Sequence, residues 1–222
     1  MKTPEIYLTT PTIDAHSEPA ALCAQLSALI PLLPCSALRI RLSPSDERNL
    51  VRLLKPFTST AQNCGVAAIL DIVAEPVALA EFDLARIASR GGADGVHLRD
   101  LAAARAAIAQ FAGTRAVGLA NPRTRHDAME AGEAGVDYLV FGEPRVDGSM
   151  PPFDVACERA SWWAEIFETP CAIFLPDLGD IDAALATGAE FLAVGDAIFA
   201  HPDGPEAGAL ALAAVLQARR EQ

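Results

Sequence analysis

The sequence predicts a single (β/α)8 barrel of parallel strands, and three observations support this prediction. A short phrase occurs three times, as residues 92–98 (GADGVHL), 135–142 (GVDYLVFG) and 188–195 (GAEFLAVG). Each copy joins a glycine-containing turn and one acid to an apolar run, which is typical of a strand buried on both faces of a parallel sheet. Each copy follows an Ala-rich helical stretch that its first glycine would end. Eight such βα units would use all 222 residues, so 1–222 is predicted to form one domain.

The predicted strands are short apolar runs bounded by turn residues. Pro11 ends the first strand. The second strand differs from the others because Arg39 and Arg41 alternate with its apolar residues, and the third ends on Asp71. The eight predicted strands are residues 6–10, 37–42, 66–71, 92–98, 115–119, 135–142, 171–175 and 188–195.

The predicted helices lie between these strands and begin at capping residues. Ser17 precedes the first helix, Ser45 or Asp46 the second, and Thr124 opens the fifth. Residues 143–152 form the longest irregular segment, and long loops at the active face of a barrel tend to carry function. The helices are predicted at residues 18–33, 45 or 46 to 62, 76–90, 101–111, from 124 onward, 154–167, 182–187 and 205–219.

Composition excludes several classes of partner. The net charge of −12 argues against nucleic acid and anionic membrane surfaces. No apolar run approaches the roughly 18 residues of a membrane helix, and residues 1–11 are interpreted as a strand and turn rather than a signal peptide. Five scattered cysteines without CxxC spacing predict reduced structural thiols in a cytoplasmic protein. The sequence allows a homo-oligomer without specifying one.

The two arginines of the second strand are the first candidate site. Arg39 and Arg41 are two residues apart, so both side chains lie on one face of the strand. Neither the barrel axis nor the helix-facing surface suits an unpaired guanidinium. Two interpretations follow: the pair binds an anion, or it forms ion pairs with acids that also point into the barrel.

A second candidate is a metal site. Asp71 and Asp100 follow neighbouring predicted strands, and the reactive groups of (β/α)8 enzymes lie at these carboxyl ends. Two converging carboxylates suit Mg²⁺, which prefers oxygen ligands and often accompanies a diphosphate. The alternative for each acid is a helix cap or a solvated loop position.

Five further positions at strand ends complete the candidate set for anion binding. Asn121 and Arg123 follow the fifth strand, Gly142 and Arg145 begin the loop after the sixth, and Gly195 ends the eighth. His97 lies inside the fourth strand, where a hydrogen-bonded core histidine is favoured over a catalytic one. No P-loop, GxGxxG or GxSxG motif is present.

The chain resembles the thiamine-phosphate synthases and their thiazole-tautomerase relatives over nearly its full length. The most specific part is 92–98, which is similar to the GADGVHL of the family's fourth strand. Residues 134–142, 6–9 and 195–199 add support. The resemblance implies a TIM barrel whose substrates are small phosphorylated molecules. In that family a hydroxymethylpyrimidine diphosphate loses diphosphate with Mg²⁺ assistance, and a thiazole phosphate captures the resulting carbocation.

The chain departs from this family at the positions that hold phosphate. The Gln-x-Arg-x-Lys of the second strand is 39–43 (RIRLS), so Arg41 remains and the lysine is lost. The Thr-x-Thr-Lys of loop six is 147–150 (DGSM), and the Gly-Gly after strand seven is Pro176-Asp177. Asp196 adds a further carboxylate where the family has a small hydroxyl residue. These changes predict a poor site for thiazole phosphate.

Two functional hypotheses therefore remain. The first is a thiamine-phosphate synthase whose lost ligands are replaced by arginines, namely Arg39, Arg99, Arg123 and Arg145. The second is a divergent paralogue on the same barrel that binds another small molecule or acts as a non-catalytic subunit, because a fold does not by itself determine function.

Overall fold

Eight parallel strands pair in chain order within residues 3–220, the part of the chain that this computed structural model describes. The eighth strand pairs with the first and closes the barrel, which confirms the predicted fold class. The predicted ends differ from the observed ones by no more than three residues. The strands are β1 (Glu5–Thr9), β2 (Cys35–Leu42), β3 (Ala67–Ile72), β4 (Gly95–Leu98), β5 (Ala116–Ala120), β6 (Tyr138–Phe141), β7 (Cys171–Leu175) and β8 (Phe191–Val194).

Helices surround this barrel. They are α1 (Ala20–Leu29), α2 (Glu47–Asn63), α3 (Pro76–Leu79), α4 (Leu84–Gly91), α5 (Leu101–Phe111), α6 (Arg125–Ala134), α7 (Phe153–Ile166), α8 (Ile181–Ala186), α9 (Asp196–Phe199) and α10 (Pro205–Arg220). Short 3₁₀ turns cover Ile30–Leu32 and Leu178–Asp180. Among residues 3–220, no helix is both long and apolar enough to cross a bilayer.

Two predicted helices are divided in the structure. The predicted helix 76–90 is interrupted before Leu84, because the Asp83 side chain accepts a hydrogen bond from the Arg86 amide and starts a new helix there. The predicted helix 18–33 ends its α-helical part at Leu29. Pro31 follows, and a proline has no N–H to continue the α-helical ladder.

The repeated phrase forms the predicted helix-to-strand joint. Gly92 and Gly135 end α4 and α6 in the left-handed region, with φ of 79° and 86°. This conformation favours glycine because it has no Cβ. The acid of each copy then joins two strands, since its carboxylate accepts a hydrogen bond from a backbone N–H of the preceding strand. The bonds are Ala68 to Asp94 (2.8 Å), Val117 to Asp137 (2.7 Å) and Cys171 to Glu190 (2.9 Å).

The apolar core has two parts. A large cluster fills the layer between the strands and the helices. A smaller cluster lies inside the barrel and includes Tyr7, Ile69, Val140 and Phe174. Because side chains alternate across a strand, Arg39 and Asp71 lie on the same inward faces as Tyr7 and Ile69. The carboxyl half of the barrel interior is therefore polar.

Candidate functional site

A buried ion-pair network lies at the carboxyl end of the barrel, and Arg39 is its centre. The Arg39 side chain is 2% exposed. Its Nε donates to Asp71 Oδ2 at 2.8 Å, and its Nη2 donates to Glu143 Oε1 at 3.2 Å. Nη1 also donates to Glu143 Oε2. We call Arg39, Asp71, His97, Arg99 and Glu143 the core network.

Arg99 is the second guanidinium of the core network. Its Nη1 and Nη2 donate to Asp71 Oδ1 and Oδ2 at 2.7 and 2.8 Å, which is a bidentate pairing. Its Nε lies 3.2 Å from Glu143 Oε1 but makes no hydrogen bond there. Arg99 therefore lies close to both buried carboxylates, as Arg39 does.

His97 links the core network to two tyrosines. Its Nε2 lies 3.0 Å from Glu143 Oε2, and its Nδ1 lies 3.3 Å from the Tyr138 hydroxyl. The Tyr138 and Tyr7 hydroxyls are 2.8 Å apart. Burial lowers the pKa of His97, and Arg39 lowers it further, against the opposite effect of Glu143. His97 is thus a hydrogen-bonded, neutral histidine of the barrel interior.

The two buried carboxylates remain ionised because cations surround them. Burial by itself raises the pKa of Asp71, but Arg39 and Arg99 outweigh it and hold that pKa far below its usual range. Burial likewise raises the pKa of Glu143, but Arg39 and the hydrogen bond with His97 outweigh it and lower that pKa. With Arg41 at 3.7 Å from Asp71, three guanidiniums face two buried carboxylates, so this group carries an excess of one positive charge.

Local backbone geometry positions Glu143. Asn121 has a φ of 48°, an unusual conformation for a residue other than glycine. The side-chain nitrogen of Asn121, Nδ2, donates to the Glu143 carbonyl at 2.7 Å, and its side-chain oxygen, Oδ1, accepts from the Gly142 N–H at 3.0 Å. Gly142 itself has a φ of 87°. Asn121 therefore holds the turn that directs Glu143 into the barrel.

An open pocket of about 610 Å³ lies beside the core network at the ends of β4, β5 and β6. Four arginines line it: Arg99, Arg123, Arg145 and Arg159. We call it the arginine pocket. Glu75 and Asp147 supply carboxylates, and proline, valine, alanine and phenylalanine side chains form much of the remaining wall. Its volume is in the usual range for small-molecule sites, roughly 300–1,000 Å³.

The remaining predicted arginine, Arg41, faces a much smaller recess. This space of about 20 Å³ is lined by Thr9, Arg39, Arg41, Gly195 and Asp196, among others. The hydroxyl of Thr9 and the Nε of Arg41 are buried without a hydrogen-bond partner. The recess is comparable to the space that one water molecule needs, on the order of 10–15 Å³.

The residues present do not fit a Mg²⁺ ion at Asp71 and Asp100. Both Asp71 oxygens accept from guanidiniums, and the Asp100 carboxylate caps α5 by accepting from the Ala103 N–H at 2.8 Å. A divalent cation about 4 Å from a guanidinium is disfavoured by roughly 8 kcal/mol at an effective dielectric near 20. Within residues 3–220, no group of three or more His, Cys, Asp or Glu side chains is arranged to hold a metal.

The structure divides the predicted site residues among four places. Asn121, Arg123, Gly142 and Arg145 meet at the arginine pocket, although the Asn121 side chain is used by the neighbouring backbone. Arg39 and Asp71 pair in the core network, which is the ion-pair arrangement that the sequence left open for Arg39. Arg41 and Gly195 line the small recess, and Asp100 caps a helix.

Sequence reasoning missed the role of one site residue and the presence of another. Its position directly after a strand made Glu143 a candidate, but not one expected to be buried, because loop residues are usually solvated. In the structure Glu143 is fully buried and pairs with Arg39, which lies 104 residues earlier in the chain. Arg159 lies on α7 and belongs to no motif, so no sequence signal connects it with the pocket.

These features define a small (β/α)8 barrel with an arginine-lined pocket at the carboxyl ends of its strands. The sequence model of the family described as "Thiamine monophosphate synthase" matches residues 6–198. The chain is 31% identical over 209 residues to a thiamine-phosphate synthase of Rhodospirillum centenum, covering 91% of this chain and 92% of that one. A thiamine-phosphate synthase of Erythrobacter litoralis is 31% identical over 175 residues, or 74% of each chain. The chain belongs to the thiamine-phosphate synthase family.

Solved structures agree on the fold. Thiamine phosphate pyrophosphorylase from Pyrococcus furiosus superimposes with a TM-score of 0.70 at 16% identity, covering 97% of this chain and 96% of the other. A tryptophan synthase chain from M. tuberculosis gives a TM-score of 0.69 at 15% identity, covering 97% and 94%. At this level of identity the likeness establishes the barrel alone.

The neutral state of buried His97 predicts an acid-dependent loss of stability. Folding lowers the pKa of His97. Below the ordinary histidine pKa of about 6.5, the imidazole therefore binds a proton more readily in the unfolded chain than in the folded protein. The free energy of unfolding should therefore fall as the pH decreases below about 6.5. Urea unfolding at several pH values between 8 and 5 measures the slope of the free energy of unfolding against pH. Substitution of His97→Gln should reduce the slope, whereas exposed His126→Gln should leave it unchanged.

Proposed function

We propose that this protein binds a small phosphorylated molecule in the arginine pocket, as a thiamine-phosphate synthase-like barrel that does not carry out the magnesium-assisted transfer. The observation that supports this proposal is that the arginines paired with carboxylates and most of the arginines of the pocket lie in different parts of the site. Arg39 and Arg99 are paired with buried carboxylates, whereas the other pocket arginines, Arg123, Arg145 and Arg159, border open space and form no ion pair among the described residues. Ligand binding is therefore expected beside the axis rather than on it.

The arginine pocket has the charge to hold an anion. Arg123 forms no hydrogen bond or ion pair with the described residues, and the Arg145 side chain donates a hydrogen bond to the Ser149 hydroxyl at 3.1 Å. Arg159 donates to a backbone carbonyl at 3.3 Å. Guanidiniums whose donors are not used by carboxylates are suited to phosphate oxygens.

The walls of the pocket suit a ring attached to that phosphate. Phe141 and Ala120 end neighbouring strands, and Val155 projects from α7 at the same cavity. A mostly apolar lining with a few oriented polar groups is the usual composition of a small-molecule site. The ligand class that fits is a phosphate monoester carrying a small ring.

A second candidate is the synthase reaction itself. Relatives described as thiamine-phosphate synthases share 31% identity with this chain and align with up to 91% of it. In this case the pocket arginines would replace the lost phosphate ligands, and transfer would join the pyrimidine to the thiazole nitrogen as diphosphate departs.

One assay separates the two candidates. The purified protein is incubated with hydroxymethylpyrimidine diphosphate, thiazole phosphate and Mg²⁺, and thiamine phosphate is quantified. We expect no product above the protein-free background, in parallel with measurable binding of phenyl phosphate by calorimetry. Steady product formation would replace our proposal with the synthase reaction. Absence of binding would contradict the pocket assignment.

Removing a pocket arginine is expected to weaken phosphate binding. A hydrogen bond to a charged group contributes about 1.5–3 kcal/mol, which corresponds to roughly 10–150-fold in affinity. Arg123→Ala should therefore raise the Kd for phenyl phosphate by about one to two decades. Arg105→Ala removes an exposed arginine of α5 that does not line the pocket and should leave the Kd within about twofold. Equal effects of both variants would mean nonspecific charge attraction.

A further inference from the structure

We infer that the guanidinium of Arg99 is the resident cation of this site, so that an anion binds in the arginine pocket without a divalent metal. This inference rests on the proposed function for its ligand. It assigns to a side chain of this protein the charge that Mg²⁺ supplies in the related synthase reaction.

The first argument is the position of Arg99 between two carboxylates. Asp71 accepts from it through both oxygens, and Glu143 Oε1 lies 3.2 Å from its Nε. A hard cation would seek these same carboxylate oxygens. Arg99 occupies them with a delocalised charge that stays protonated at any physiological pH.

The second argument is that Arg99 also faces the ligand space. Arg39 is 2% exposed, whereas Arg99 is 13% exposed and lines the arginine pocket. Among the described residues, Arg99 is the guanidinium shared by the core network and this pocket. A guanidinium has more N–H donors than the two bonds to Asp71 consume, so donors remain for an anion. The buried carboxylates fix its orientation before any ligand arrives.

The third argument concerns what surrounds Asp71. Arg39 donates to it at 2.8 Å and Arg41 lies 3.7 Å away, so the carboxylate is enclosed by positive charge on several sides. The other predicted ligand, Asp100, is used by the amide of Ala103. Of the two acids predicted to hold a metal, Asp71 therefore binds guanidiniums, including that of Arg99, and Asp100 caps a helix.

The test combines metal titration and ligand titration on the intact protein. Calorimetry with Mg²⁺ alone should show no binding to the wild-type protein. Phenyl phosphate should bind with the same Kd, within about twofold, in EDTA and in excess Mg²⁺. Arg99→Gln should raise the Kd in EDTA at least tenfold, and Mg²⁺ should not restore the loss, because Arg39 and Arg41 still surround Asp71. Arg99→Lys retains the charge and should keep metal-free binding, at reduced affinity.

Three results would overturn the inference: Mg²⁺ binding by the wild-type protein, phenyl phosphate binding only in the presence of Mg²⁺, or an Arg99→Gln variant that binds in EDTA like the wild type. If phenyl phosphate binds under neither condition, the proposed function fails, and the Mg²⁺ titrations of the ligand-free proteins still decide the inference. In that case, Mg²⁺ binding by the wild-type protein contradicts the inference. Absence of Mg²⁺ binding supports it, because guanidiniums then occupy the carboxylate that a metal would need.

Discussion

Replacing Arg39 with methionine is expected to lower the free energy of unfolding by about 3–5 kcal/mol. Arg39 is 2% exposed and pairs with both Asp71 and Glu143. Methionine has a similar length and fills the space, but it leaves two buried carboxylates with one cation fewer. An uncompensated buried charge is strongly destabilising because burial removes its hydration. Urea denaturation at pH 7 measures the loss.

Arg41→Met is the matched control for this experiment. It makes the same chemical change two residues along the same strand, but Arg41 is 21% exposed and its contact with Asp71 is 3.7 Å long. Partly solvated ion pairs contribute roughly 0–1 kcal/mol. We therefore expect Arg41→Met to cost less than about 1 kcal/mol. Similar losses in the two variants would show that the core network is not the main source of the effect.

Gly118→Ala is expected to destabilise the barrel by about 3 kcal/mol, at the upper end of the usual cost of overpacking a core. Gly118 lies in β5, and a Cβ at this position would overlap the ring of Tyr138. The neighbouring strand pairs directly here, with Gly118 opposite Tyr138. The ring must then leave its contacts with Tyr7 and His97, which are 5.5 and 6.0 Å away between ring centroids.

A double variant tests this explanation. Tyr138→Leu removes the ring, so Gly118→Ala in that background should cost at least about 1.5 kcal/mol less than in the wild type. Residues in direct contact show coupling energies of about 0.5–3 kcal/mol. Additive losses in the two variants would mean that the added methyl group acts elsewhere, for example on the backbone of β5.

The repeating pattern of the sequence was sufficient to predict the barrel. Apolar runs of strand length alternate with helical stretches, and eight such units in about 220 residues are typical of a closed parallel barrel surrounded by helices. The glycine of each repeated phrase marked a helix end, which the left-handed Gly92 and Gly135 confirm. The purpose of the acid in the phrase was not predictable, because its partner is an N–H of another strand.

The charged site was predictable only in part. Alternation along β2 placed Arg39 and Arg41 on one face, but it did not distinguish their partners. Arg39 lies deep enough in the barrel to pair with Glu143, whereas Arg41, two residues further along β2, lies nearer the solvent. Burial and pairing depend on distances across the barrel, which the period of a single strand does not contain.

The sequence by itself determined the fold class, the family and the end of the barrel at which the polar residues gather, because these depend on local periodicity and short motifs. Tertiary structure alone decided which charges are free. Asp71 accepts from Arg99, which follows the next strand, and Glu143 is turned inward by Asn121. Those pairings leave the arginine pocket as the open positive surface. The physical reason is that the strength of an ion pair depends on distance and burial, and both arise only when remote strands close the barrel.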